Sequence, residues 1–367
     1  MNQVKIGEFL RELRKEKGVT QEQLVEQFNI SRRSVSRWET GSNMPDVGLL
    51  IEIADFFDVD IREIIDGERK SENMEKEKET LKKIIFGGLV LVSSFLVSGC
   101  SQDNMDNIEI IVTNYPNEYI VKELYDEHAN ITSIYPDGVD INNYKINKKQ
   151  KNDFSKTDLF VYNGLIEKER DLAVDLLSIN PDLKIIDSAY VLETDYSPEE
   201  LWLNPSSLLM MAQNVRIGLE EYITSTYLKK EVDEAYDDLK IRLSELDADY
   251  RLTVESTNNK TIVVANSALK FLEKFDLEVI CVDSDATDKT ISVVEDLINS
   301  KEISYIYSFK EEKLSDKVQK LVDTYNTISV EKLNKLDNLS DSDRSNKENY
   351  ISIMTDNLDL LKKELYQ

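Results

Sequence analysis

The amino-acid sequence predicts two unlike folds in one chain: an all-α domain of five short helices, then an α/β domain of two lobes with a long connecting helix. Three observations predict this. Apolar residues recur at helical spacing in short stretches up to residue 66, and short β-rich runs alternate with helical patterns from residue 108. A fourteen-residue run without a charge separates the two regions.

In the first region Ile6, Phe9, Leu10 and Leu13 fall on one face of a helix that Gly18 stops. Thr20 caps a second helix, Gln23 three residues on completes a capping box, and Leu24, Val25 and Phe28 face inward. Ser31 caps a third helix, in which Val35 and Trp38 face the core, Arg32, Arg33 and Arg37 face outward, and Gly41 ends the run. Residues 46–57 and 61–65 form the last two helices. Residues 71–83, rich in Glu and Lys, read as a solvated linker.

The uncharged run, IIFGGLVLVSSFLV at 84–97, follows Lys82-Lys83 and leads into Ser98-Gly99-Cys100. A bilayer span takes ~20 apolar residues, so this run fits the apolar part of an export signal better. Small residues followed by a cysteine resemble a lipobox, with Cys100 taking the lipid. The lysines stay in the cytoplasm, which puts residues 1–83 inside and 101–367 outside, lipid-anchored after cleavage. Residues 101–107 are a polar tether. Met74 offers a second start for the lipoprotein alone.

Beyond it, IEIIVT (108–113), ANITSIY (129–135), DLFVYNG (158–164), LKIID (183–187), KTIVVAN (260–266), LEVICVD (277–283) and SYIYSF (304–309) read as strands separated by helices. This alternation gives parallel sheets with helices on both faces, in lobes spanning 108–205 and 259–367. Residues 206–258 between them, nearly free of Gly and Pro, read as the connecting helical segment.

Composition narrows the function. With 45 basic against 71 acidic residues the net charge is −26, which excludes broad affinity for nucleic acid or anionic lipid. Residues 1–70 hold 11 basic against 14 acidic residues, so any DNA contact comes from a local patch. The single histidine, His128, excludes a His-rich metal site and catalysis by two imidazoles, and reads as a surface residue. Cys100 and Cys281 lie in unlike segments, and no disulfide is expected. The Asp-rich stretch 283–288 lacks the glycine and terminal glutamate of a calcium loop and reads as solvated. With no phosphate-binding glycine loop and no nucleophile motif, the chain reads as a non-enzyme.

Over about sixty residues, on Thr20-Gln21-Glu22-Gln23-Leu24 and Val35-Ser36-Arg37-Trp38-Glu39-Thr40-Gly41, the first region resembles the Xre/Cro phage-repressor family. The resemblance implies a helix-turn-helix DNA-binding domain over 1–70 whose third helix enters the major groove. Arg32, Arg33 and Arg37 would then read bases, favouring guanine through paired bonds to O6 and N7, and Gln21 would hold a phosphate. The family reads paired half-sites, which implies a homodimer on duplex DNA.

IVTNYP (111–116), YPDGVDINNYKIN (135–147), DLFVYNG, PEELWLNP (198–205) and ENYISIMTDNLDLLKKEL (348–365) resemble the lipid-anchored or periplasmic proteins that deliver zinc or manganese to ABC transporters. That implies a metal in the interlobe cleft and a permease partner. The ligands depart from the pattern. The family's first histidine falls on Asn142, its second on Glu200, its third on Asn266, and its acidic fourth ligand near Asn334. Amide oxygens are weak, uncharged donors, so tight zinc binding is not expected. The cleft then takes a polar organic solute or a peptide end, or is retained for packing. An alternative keeps 84–100 uncleaved and makes the chain a membrane-tethered regulator whose outer domain senses a solute.

Overall fold

The structure is a computed structural model that describes residues 3–69, several positions between 29 and 68 excepted, and residues 104–366 except 258 and 311. The linker, the apolar run and Cys100 lie outside the described residues. The chain divides into two compact units, Met1–Ser101 and Gln102–Gln367.

In the first unit α1 (Gln3–Glu16), α2 (Gln21–Phe28) and α3 (Arg32–Glu39) pack around Ile6, Phe9, Leu10, Leu13, Leu24, Val35 and Trp38. Ile53, Phe57 and Ile64, from the stretches expected to form the fourth and fifth helices, complete this core. The helix boundaries follow local chemistry. Thr20 Oγ1 accepts the Gln23 N–H while Gln23 Oε1 accepts that of Thr20, closing the capping box. Ser31 Oγ accepts the Ser34 N–H, and Gly18 and Gly41 leave their helices at φ +73° and +67°, where a Cβ is disfavoured.

The second unit holds two parallel sheets. The first orders β2 (Ala129–Ser133), β1 (Ile108–Val112), β3 (Leu159–Tyr162) and β4 (Lys184–Asp187). The second orders β6 (Glu278–Cys281), β5 (Thr261–Val264), β7 (Tyr305–Phe309) and β8 (Ser329–Leu333). Central strands are apolar on both faces, as parallel strands covered by helices must be, and β3 is buried along its whole length. β8 went unread in the sequence because its residues, SVEKL, are half polar; it is an edge strand, paired on one side only. In each sheet the strand order reverses beside the first strand, so the loops after β1 and β3, and after β5 and β7, leave a crevice at their carboxyl ends.

The connecting segment is two helices, not one. The helix Pro205–Tyr222 ends at Ile223, which is extended and buried, and Ser225 caps the next, Thr226–Glu255, by accepting the Leu228 N–H. No Gly or Pro marks the break. The second helix, 30 residues and about 45 Å long at 1.5 Å per residue, buries Leu228, Val232, Tyr236, Leu239, Leu243, Leu246, Tyr250 and Val254 at three- and four-residue spacing. Those side chains join one core with Val112 and Val161 of the first sheet and Ile262 and Val264 of the second, which fixes the lobes to a common spine.

His128 is not a free surface residue. Its Nδ1 lies 3.1 Å from Asp106 Oδ1 and its Nε2 2.9 Å from Glu231 Oε2, so it ties the entry to β1 to the long helix. The Asp-rich stretch is held by Lys317, whose Nζ donates to the carbonyls of Ser284 and Ala286. Cys281 carries a free thiol.

Candidate functional site

On α3 the side chains of Arg32 and Arg37 are exposed, opposite the buried Val35 and Trp38; of Arg33 only the helical backbone is described. Arg32 lies 3.0 Å from Glu22 in a solvated pair of little energetic weight. Gln21 turns its amide to Glu39 at 2.8 Å. Glu39, which enters the sequence reading only as part of the match over 35–41, is buried and also takes Arg14 through both carboxylate oxygens.

Between the lobes a cleft of about 660 Å³ is lined by the segment after β2, the loop after β7 and the stretch after β8. That last stretch is stitched into the first lobe. Tyr115 N–H donates to Asp337 O, Gly138 N–H to Leu339 O, and Trp202 Nε1 to Lys335 O. Arg344 forks onto Glu118 and Asp137, with four contacts of 2.8–3.0 Å. Paired guanidinium bonds of this kind fix orientation as well as distance.

The four cleft positions fare differently. Asn142 is exposed and lines the cleft, on a turn that Lys168 Nζ holds through the carbonyls of Ile141 and Tyr144. Asn334 also lines it, but its carboxamide oxygen accepts the Leu336 N–H at 2.8 Å, and its backbone bonds the Asn357 side chain. Asn266 caps the turn that follows β5 through the Ala268 N–H and donates to Glu312 Oε1 at 2.6 Å, reaching the cleft through that carboxylate. Glu200 is buried, and its carboxylate is spent on the N–H groups of its own loop, Tyr196 and Ser197 among them, with Lys274 at 3.9 Å.

An acidic group does stand near Asn334, three residues on: Asp337 lines the cleft, 3.5 Å from the ammonium of Lys335. Lys335 also meets Glu199 at 3.0 Å. Glu199, Glu312, Lys335 and Asp337 are not among the candidates of the sequence, because none of them stands at a position that the family resemblance assigns to a histidine. The signal was present in Glu199, the first glutamate of PEELWLNP, and in Asn334-Lys335-Leu336-Asp337. These donors do not suit zinc. Asn142, Asn266 and Asn334 offer amides, Glu200 is committed elsewhere, and among the described residues no group of three or more His, Cys, Asp or Glu side chains could hold an ion.

Two parallel α/β lobes on a helical spine, with a polar cleft between them, define a two-lobed solute-binding protein, and the helices of the first unit define a helix-turn-helix domain. Residues 110–364 match the family model of the zinc-uptake complex component A, periplasmic, and the chain belongs to that family. Residues 10–64 match a helix-turn-helix family. The family is one of solute-binding transport proteins, not an enzyme class.

Among relatives, the zinc-binding lipoprotein AdcA of Streptococcus pneumoniae (strain R6) is 23% identical over 310 residues, covering 77% of this chain and 61% of that protein. The chain thus spans about three-fifths of the length of this relative. The high-affinity zinc uptake system protein ZnuA of Bacillus subtilis is 22% identical, covering 73% and 90%. The HTH-type transcriptional activator BcrR of Enterococcus faecalis is 42% identical over 82 residues, 22% of this chain and 40% of that protein. Of solved structures, the Zn(II)-bound ZnuA-like domain of S. pneumoniae AdcA superposes with a TM-score of 0.58 at 21% identity, covering 71% of this chain and all of that one. The metal-dependent lipoprotein YcdH of B. subtilis gives 0.59 at 20%, with the same coverage. At these identities the likeness is one of fold.

Proposed function

We propose that residues 101–367 are an externally displayed solute-binding component, anchored at Cys100 and serving an ABC-transporter permease, and that its cleft takes a polar organic solute in place of zinc or manganese. One observation carries this. At the positions that the family resemblance assigns to imidazoles the chain has Asn142, Glu200 and Asn266, and the last two already serve as a loop ligand and a helix cap. The remaining wall, amides and charges of both signs, suits hydrogen bonding to an organic molecule. The N-terminal domain supplies a cytoplasmic DNA reader, with Arg32, Arg33 and Arg37 facing the major groove and a homodimer on paired half-sites. Calorimetric titration of the purified chain with zinc, manganese and a panel of amino acids and short peptides tests the reading. A member of the panel binds and neither metal does at micromolar concentration; a tight stoichiometric zinc complex overturns it.

A further inference from the structure

The cleft already contains a cation. Lys335 leaves the end of β8 and places its ammonium 3.0 Å from Glu199 Oε1 and 3.5 Å from Asp337 Oδ2, with its side chain only 21% exposed. Glu199 belongs to the first lobe, while Lys335 and Asp337 come from the second. The backbone of Lys335 is fixed as well, because its carbonyl accepts Trp202 Nε1–H at 2.9 Å. The position abuts, on two sides, the positions that the family resemblance assigns to ligands, being next in sequence to Asn334 and bonded to the neighbour of Glu200. Glu312, the partner of Asn266, lines the same cleft.

We propose that Lys335 is a specificity-determining residue of this cleft: its ammonium occupies the carboxylates that a divalent cation would need and repels such an ion from the space beside them. The inference rests on the reading that the cleft coincides with the family's ligand positions. It goes further than loss of histidines, because it makes exclusion of metal an active property of a residue that replaces no ligand. A fixed positive charge acts on an approaching dication in a site of reduced dielectric, where screening is weak. Restoring imidazoles alone therefore does not restore binding.

The test uses the full chain with Asn142→His and Asn266→His, leaving Glu200 to its loop, in three backgrounds: Lys335 retained, Lys335→Met and Lys335→Arg. Zinc affinity is measured by competition with a chelator, and melting curves confirm that each variant is folded. The expected result is zinc affinity at least a hundredfold tighter with Lys335→Met than with either Lys335 or Lys335→Arg. The visible absorption of bound cobalt should report imidazole ligation in the methionine background. Equal affinities in all three backgrounds overturn the proposal. A gain on Lys335→Met without imidazole ligation of cobalt leaves the role of Lys335 standing and sinks the assignment of Asn142 and Asn266 to the family's ligand positions.

Discussion

Gln21 Nε2 donates to Glu39 Oε2 across 2.8 Å, so the first residue of α2 is fastened to the last residue of α3. Arg14, from α1, closes the same carboxylate from the other side, and Arg11 donates to the Glu39 carbonyl. One buried acid thereby fixes the relative position of α1, α2 and α3. Burial pushes the Glu39 carboxyl up, but its bonds to Arg14 and Gln21 and the charges of Arg14 and Arg11 outweigh this and hold it below the ordinary value.

Glu39→Ala should therefore cost about 3 kcal/mol, since it leaves a mostly buried guanidinium without its partner. The folded carboxyl ionises below the unfolded one, so its stabilisation is fully present above the unfolded value near 4.5 and is lost as pH falls through the lower folded value. Urea melts of the first unit in wild type and variant, between pH 3 and 7, check both the size and the slope. Curves that stay parallel over that range would mean the carboxylate does not couple to folding.

Arg33→Ala should weaken binding at a preferred duplex by about 1–3 kcal/mol and relax the base preference at one position. Arg32→Ala should act similarly, because releasing the exposed Glu22 costs next to nothing. Footprinting on the promoter of the chain's own gene, compared with random duplex at the same salt, reads the difference. Equal affinity of wild type for both duplexes would remove the regulatory role.

Cys100→Ala should block acylation and cleavage together. Wild type should give a membrane product of residues 100–367 that carries lipid, visible by intact mass. A product retaining residues 1–99 in the membrane would favour the intact membrane-tethered regulator instead, because only an uncleaved chain can pass a signal between its two domains.

Much of this fold could be read from the chain because its signals are local. Capping boxes, glycines at helix ends and apolar β-rich runs announce themselves within a few residues, as Thr20 with Gln23 and the strand at 159–162 show. β8 could not be read, because an edge strand with one covered face keeps polar residues such as Glu331 and Lys332. The break at Ile223 was hidden for a different reason: a serine cap interrupts a helix without Gly or Pro. Of the positions that the family resemblance assigns to the site, Asn142 and Asn334 line the cleft, whereas Glu200 and Asn266 do not. The pairing of Lys335 with Glu199 could not be read from the chain, since it joins residues far apart in sequence and brought together only by the lobes.

Glu169 yields the last prediction. It is fully buried behind the first sheet, where its Oε2 accepts the Thr113 hydroxyl at 2.5 Å and the Asn163 N–H at 2.8 Å, while Oε1 has no partner. Burial raises its carboxyl to about 7; the Thr113 and Asn163 bonds and Lys168 oppose the rise, and Asp187 adds to it. The folded state therefore keeps a proton that the unfolded chain releases near 4.5, and it binds more protons between those values. Stability contributed at this position falls as pH rises through that window and levels off above pH 7, a loss of about 3 kcal/mol. Glu169→Gln should remove the loss. Its carbonyl can take the place of Oε2 and keep both bonds, and its amide nitrogen stands where the unpartnered oxygen was. Relative to wild type, the variant should gain about 2–3 kcal/mol more at pH 8 than at pH 5 in urea melts of the full chain, read on the transition of the second unit. Subtracting wild type at each pH cancels the contributions of Asp337 and Glu364, whose carboxyls burial also raises. An advantage of the same size at both pH values would show that Glu169 is ionised in the folded protein throughout.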